Sequence, residues 1–298
     1  MKLRQLWITA LAVCLGAPSA ADTSMPNPFT RELTVGDEGN DVKIAQTMLN
    51  RDGSGAVLSV DGVYGEGTAN ATSLFQAAQD LAISGSLDAA TAQALLDCCL
   101  ADGYVDDGQS AESRGYLYKV VVPVYQNRSI ETMATLHAGN NTALLTFRVR
   151  AHGHRDDGSE TAWPDFGDGD FGLNELTSDG NTPTGLSTLD LNSPEPADYE
   201  ELYGPYPINR VVTGLEGNAG LLLSDIRSGI LLHTGEWPDW DSSQPMPNSD
   251  GCMHAHPEDV DSIWQALVSL GVEVRDNPGS SKNYPFEAQG LMSVYQVD

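Results

Sequence analysis

The sequence predicts an α+β chain of two units, a small three-helix bundle followed by a mainly β domain with one good helix near its end. Three observations predict it. Apolar residues recur at helical spacing between Gly/Asp turns over residues 33–99. From residue 116 onward, short β-branched runs alternate with Gly, Pro and Asn turns. A stretch poor in apolar residues, 100–115, lies between the two. A chain of 298 residues is long enough for two domains, each with its own core.

The first residues read as an export signal. Lys2 and Arg4 supply a positive start, Leu6 to Gly16 an apolar run, and Ser19-Ala20-Ala21 a small-residue cleavage site, so residues 1–21 are expected to be removed. The run is too short to span a bilayer, and no other stretch is apolar enough, so no membrane span is expected. The mature chain is then expected in the periplasm, the cell wall or outside the cell. Losing Lys2 and Arg4 from 15 basic residues leaves 13 against 42 acidic ones, moving the formal charge from -27 to -29. A charge of that sign and size argues against nucleic acid and anionic lipid as partners.

Residues 22–32 are expected to be a short N-terminal linker. In the helical unit, Val42, Ala45, Met48 and Leu49 mark a first helix, opened by Gly39-Asn40-Asp41 with Asn40 or Asp41 as cap. Val60 to Gly65 forms a turn-rich link. Thr68, Ala71, Phe75 and Ala78 mark a second helix, and Asp88 caps a third carrying Ala92 and Leu95. Residues 100–115, rich in Asp, Gly and Ser, read as a flexible linker.

In the second unit, 116–298, strands are expected over Tyr116 to Tyr125, Leu144 to Val149, Leu186 to Leu191, Leu221 to Leu223 and Ile230 to Leu232. The helix begins at Pro257, with Glu258 and Asp259 in its first turn and Val260, Ile263, Trp264, Leu267 and Leu270 on its apolar face. Residues 155–181 hold eight acids. Asp165, Asp168 and Asp170 would suit a hard cation, but the spacing is not that of a known calcium loop, and a solvated acidic insertion is the plainer reading. His152 and His154 make a pair with no third zinc ligand in view. No cofactor or metal is expected.

Of four cysteines, Cys98, Cys99 and Cys252 survive removal of the leader, an odd count that leaves at least one free thiol. Cys98 and Cys99 are adjacent. Cys252 stands in a tight Ser249-Asp250-Gly251-Cys252 turn, nineteen residues after His233, which ends the apolar run Ile230 to Leu232. A thiol becomes a useful nucleophile at neutral pH when a base sits beside it, and an imidazole is the usual base. Gly251 lets the backbone turn sharply, and the N–H groups of Gly251 and Cys252 are candidates for an oxyanion hole. Trp163, Trp237 and Trp240 could line a groove, with core packing as the equal alternative.

Two resemblances bear on these residues. The segment carrying Leu33, Gly36, Gly39, Asp41, Gln46, Val60-Asp61-Gly62, Tyr64-Gly65, Phe75-Gln76, Gly85, Asp88 and Thr91 resembles the peptidoglycan-binding domain, which implies peptidoglycan as partner. The second unit resembles the L,D-transpeptidase catalytic domain of the YkuD family, a β-sandwich or barrel, through Thr182-Pro183-Thr184-Gly185, His233 and Ser249 to Cys252. That resemblance implies Cys252 as nucleophile, His233 as base, Thr234 orienting the imidazole and Gly251 in the oxyanion hole. It places Ser249, Asp250 and His254 around the substrate. The chain departs from the family at Asp250, where a histidine is usual, and at His254, where Arg or Asn is usual.

The expected activity is an exported, cysteine-dependent acyl transfer on peptidoglycan stem peptides through a thioester, giving cross-links or attachment of a protein amine. Two alternatives stand beside it: a hydrolase or carboxypeptidase using the same pair, and a wall-binding protein without turnover. The departures predict a changed substrate choice or pH optimum, since Asp250 would raise a nearby thiol pKa and His254 would change charge near neutrality.

Overall fold

The computed structural model describes residues 24–153, 173–196, 199–223, 225–237, 240–279 and 283–297. The export segment, His154, Trp163 and the acids Asp165, Asp168 and Asp170 lie outside the described residues.

The helical unit is built from α1 (Asn40–Asp52), α2 (Glu66–Ala78) and α3 (Ala89–Cys99). The residue capping α1 is Gly39, and Asp41 sits inside the first turn, where its carboxylate holds Arg31 at 2.9 Å. Asp88 caps α3 by accepting from the Thr91 N–H at 2.8 Å. Two buried glutamines stitch the turns to the helices. Gln46 binds Asp61, the Val63 carbonyl and the Gly62 N–H, and Gln76 binds the Ser86 carbonyl and the Ser84 and Gly85 N–H groups. Each amide satisfies backbone groups that a short turn would otherwise leave orphaned.

Of the expected linker 22–32, the described residues 24–32 are more than a lead-in. Phe29 is buried in the core, and the Asn27 carbonyl accepts from the Asn174 side chain at 3.0 Å. The expected flexible linker at 100–115 is likewise docked. Asp102 accepts from Asn218 N–H and Thr184 Oγ1, Tyr104 bonds Ser293, and Asp106 pairs with the buried Lys119. Its acids read as solvated because their partners are remote in sequence. The expected two separate cores also merge: buried apolar side chains of both units form one continuous cluster.

The second unit is a closed eight-stranded barrel. Its strands are β1 (Tyr118–Val124), β2 (Thr132–Ala138), β3 (Ala143–Arg150), β4 (Gly185–Asn192), β5 (Ile208–Glu216), β6 (Leu231–His233), β7 (Met253–Ala255) and β8 (Gly290–Gln296). Their order around the barrel is β1-β2-β3-β7-β6-β5-β4-β8, with β8 parallel to β1, β6 parallel to β7, and the other neighbours antiparallel. Closure removes every free sheet edge. Gly290 pairs with Tyr118 across β1/β8, and a Cβ there would fall inside the Tyr118 ring, so the glycine admits this aromatic to the core. Three short helices complete the unit: α4 (Glu200–Tyr203), α5 (Gly217–Leu222) and α6 (Pro257–Ser269).

The stretch Leu221 to Leu223, expected as a strand, is instead the end of α5 and its cap. Three leucines in a row carry no period, so tertiary packing decides. Among the described residues no helix is long and apolar enough to cross a membrane.

Candidate active site

β6 and β7 run parallel, with His233 opposite His254 and Leu232 opposite Met253. Side chains alternate along a strand, so Leu231 and His233 share a face with Cys252 and His254. Met253 and Ala255 point the other way, into the core. Cys252 and His233 are thus diagonal neighbours on one face, roughly 7–8 Å apart at Cα. Arg150 of β3 flanks His254 in register, and Arg210 of β5 flanks Leu231.

The thiol is sealed in this state. Cys252 is 8% exposed, its Sγ–H donates to the Gly229 carbonyl at 3.3 Å, and its Sγ accepts from the Leu231 N–H at 3.3 Å. Burial pushes it up to about 12. The Leu231 N–H, Arg227 and Arg210 pull it down, and Asp250 pushes it further up. A neutral thiol is therefore the resting form.

His233 is 3% exposed, and its Nδ1 lies 2.6 Å from the Thr234 carbonyl. A carbonyl only accepts, so Nδ1 carries the proton and Nε2 keeps its lone pair. Burial drives this imidazole down to about 3, with His254 adding to the effect and the Thr234 carbonyl opposing it. Sγ and the imidazole are not hydrogen-bonded to each other: the partners of Sγ are Gly229 and Leu231.

The three residues expected around a substrate take different positions. Ser249 braces the turn, its Oγ donating to the Cys252 carbonyl at 2.6 Å and accepting from the Gly251 N–H at 3.2 Å. Asp250 is exposed. His254 is buried: its Nδ1 donates to the Pro247 carbonyl at 2.8 Å, and its ring lies edge-on to His233 at 4.7 Å and tilted against Trp237 at 5.1 Å. Burial takes His254 down to about 4, so its charge does not vary near neutrality as the sequence led one to expect. Trp240 packs edge-on to His256, extending the same aromatic row. Tyr203 of α4 covers His233 from above at 5.0 Å.

Sequence reasoning missed the groups that hold this turn. Arg227 donates from Nη1 to the carbonyls of Glu175 and Asn181 at 2.7 and 2.8 Å, and from Nη2 to those of Gly180 and Asp250 at 2.9 and 3.4 Å. Burial lowers this guanidinium to about 10, and the nearby thiol counts among the groups pulling it back up. Thr182, from the Thr-Pro-Thr-Gly turn, donates to the Gly251 carbonyl at 2.8 Å. Glu175, expected in a solvated acidic insertion, is buried instead. It pairs with Arg128, accepts from the Thr184 N–H and hydroxyl, and takes the Asn218 amide at 2.8 Å. Asn218 in turn accepts from Arg51 of α1 at 2.6 Å, so a polar chain crosses between the two units. A lone Arg and Glu far apart in sequence give no signal of such pairing. His152 is buried with Nδ1 2.6 Å from the Gly153 carbonyl, and among the described residues no three His, Cys, Asp or Glu side chains converge to hold a metal.

The sequence family described as "Putative peptidoglycan binding domain" matches residues 38–95, which span α1, α2 and most of α3. No curated protein sequence matches the chain. Among solved structures, the L,D-transpeptidase of Stackebrandtia nassauensis is similar at 14% identity and TM-score 0.31, covering 88% of this chain and 94% of that one. The L,D-transpeptidase of Xylanimonas cellulosilytica (its residues 123–326) is similar at 16% identity and TM-score 0.27, covering 94% and 100%. A fused zinc-dependent amidase/peptidase/peptidoglycan-binding domain-containing protein of Clostridium acetobutylicum is similar at 16% identity and TM-score 0.26, covering 89% and 99%. At TM-scores of this size the likeness decides neither chemistry nor substrate.

Proposed function

We propose that this chain is an exported cell-wall enzyme that transfers an acyl group from a peptidoglycan stem peptide through a thioester on Cys252, in the manner of an L,D-transpeptidase. The observation that carries this reading is the β6/β7 pairing. It sets the only cysteine of the barrel on one face with a histidine whose Nδ1 proton is already committed to the Thr234 carbonyl. The peptidoglycan-binding match over residues 38–95 supports the wall as the place of action. A polar concavity on that unit, lined by Thr34, Glu66, Asn70, Ser73, Ser84 and Ser86, is suited to a hydroxyl-rich glycan.

In this mechanism Sγ swings from the Gly229 carbonyl toward Nε2 of His233, which takes the thiol proton as sulfur attacks the donor carbonyl. The oxyanion rests on backbone N–H groups at Gly251 and Cys252, the former released from Ser249. His233 returns the proton to the departing amine as the C–N bond breaks, leaving a thioester. It then takes a proton from the acceptor amine, which attacks the thioester and restores the thiol. Because burial leaves the resting thiol and imidazole both neutral, the proton moves during attack rather than before it.

The test is intact-mass analysis of the protein after incubation with a tetrapeptide stem or a carbapenem, beside Cys252→Ala. An adduct on the wild type that the variant lacks supports the acylating thiol, and an added amine separates transfer from hydrolysis. No adduct across pH 6–10, with peptidoglycan binding intact, would leave a wall-binding protein without turnover.

A further inference from the structure

The chain is strongly acidic, with a formal charge of -27, so an anionic group can settle near Cys252 only where local cations outweigh that field. Two cations reach the thiol electrostatically, Arg227 and Arg210. They differ in one respect. All four N–H groups on the two terminal nitrogens of Arg227 have backbone acceptors, and its Nε is sealed away without a partner, so that guanidinium offers a ligand nothing. Arg210 is only partly engaged. Its Nε donates to Asn192 Oδ1 at 3.0 Å, and its Nη2 donates to Glu195 Oε1 at 3.2 Å and Asn277 Oδ1 at 2.9 Å. Its Nη1 has no acceptor among the described residues. Nor is Nη1 one of the sealed orphan atoms, so it keeps a face toward the outside.

The placement of Arg210 is set by the sheet. It lies opposite Leu231, whose N–H binds Cys252 Sγ, and shares its face with Ile208, Leu231 and Cys252, beneath Tyr203. Its side chain is 10% exposed and held by three side chains that fix the guanidinium plane before any ligand arrives. A pre-oriented, ion-paired guanidinium with one open nitrogen can receive a carboxylate oxygen, because a charge-assisted N–H···O bond from Nη1 is stronger than a neutral one and little reorganisation is needed. Hydroxyl-rich or cationic groups gain nothing comparable there.

We infer that Arg210 binds a free carboxylate of the acyl donor through its open Nη1 and so selects anionic stem peptides. The inference rests on the acyl-transfer reading above for the identity of the donor. It also offers a physical answer to His254 standing where the resembled family has Arg or Asn: a guanidinium arrives at the same face from β5 instead of from the residue after the cysteine turn.

The test separates binding from chemistry. In the Cys252→Ser protein, calorimetry measures affinity for a diaminopimelate-containing tetrapeptide and for two forms of it, one amidated at the C-terminus and one at the diaminopimelate side-chain carboxylate. One amidated form is expected to bind roughly tenfold to a hundredfold more weakly. Adding Arg210→Gln should erase that difference by weakening the acid, and Arg210→Lys should restore part of it, with thermal unfolding showing that each variant is folded. Equal affinity for all three peptides, or a preference unchanged by Arg210→Gln, would overturn the assignment. Acylation of the wild type is followed in parallel by mass. Acylation with no Arg210-dependent preference removes this inference and leaves the activity standing. Preference without acylation keeps the carboxylate site and removes the acyl-transfer reading.

Discussion

A Cβ built on Gly251 would lie 2.0 Å from Nη2 of Arg227, so the guanidinium occupies the space that any other residue at 251 would fill. Gly251 also has φ +99°, a conformation L side chains rarely adopt. The two facts act together: the turn needs glycine for its backbone and again for its neighbour. Gly251→Ala is expected to cost about 2–4 kcal/mol from backbone strain and displacement of a buried charge. Thermal unfolding measures it, and a shift of under 1 °C would contradict the packing described here.

Glu175→Gln should be among the most damaging single changes outside the Cys/His pair. It leaves Arg128 buried beside an uncharged partner, a situation that costs roughly 3–5 kcal/mol in other buried pairs. Urea unfolding of the variant checks the size. Wild-type stability would return Glu175 to the solvated role its sequence context implied.

Asp250→Asn removes a negative charge that raises the Cys252 thiol, so Cys252 should alkylate faster. The expected gain in iodoacetamide rate at pH 8 is a few-fold. It is read on the Cys252 peptide by mass, because Cys98 is exposed and reacts as well. A slower rate would mean that Asp250 acts through the turn geometry instead.

Stability should fall on acidification. His233 and His254 have folded pKa values of about 3 and about 4, both below the ordinary imidazole value of about 6.5. The unfolded chain therefore takes up protons first, and the stabilisation present above pH 6.5 is lost as pH falls toward 4. Each imidazole contributes up to about 1.4 kcal/mol per pH unit in that window. His254→Gln should flatten the dependence of the urea midpoint between pH 6.5 and 4.5. The thiol has the opposite sense: its folded pKa lies above its unfolded value, so its contribution is lost as pH rises past 9 toward 12.

His233→Gln keeps a side-chain amide near Thr234 but offers no base. Acylation of Cys252 by a stem peptide should drop about 10²–10⁴-fold with little change in the melting temperature. Intact-mass time courses check it, and a drop below tenfold would move the base elsewhere on this face.

Local pattern revealed much of the fold. The helical unit was readable because Val42, Ala45, Met48 and Leu49, and then Thr68, Ala71 and Phe75, recur at helical spacing, and Asp88 caps α3 through a bond only three residues long. Cys252 and His233 stood out because a glycine turn and an apolar run frame them. β2, β5, β7 and β8 were not anticipated. β7 is three residues long, and β5 interrupts its period with Thr213-Gly214 at a register shift, so neither shows a clean alternation. Arg227, Arg210 and Glu175 were invisible for another reason. Their partners are carbonyls and side chains brought together only by barrel closure, and an isolated charge in a sequence looks the same whether it is solvated or enclosed.

The position of β8 carries one last consequence. β8 is the staple between β1 and β4, so a chain made from its N-terminus presents the other seven strands with two bare edges until residues 290–296 arrive. β6, with His233, and β7, which follows Cys252, exist before the cylinder can shut, and they would sit in an open, adhesive sheet during that interval. Closure therefore waits on residues 290–296, and a chain cut before Gly290 should yield an aggregating product rather than a merely weakened one.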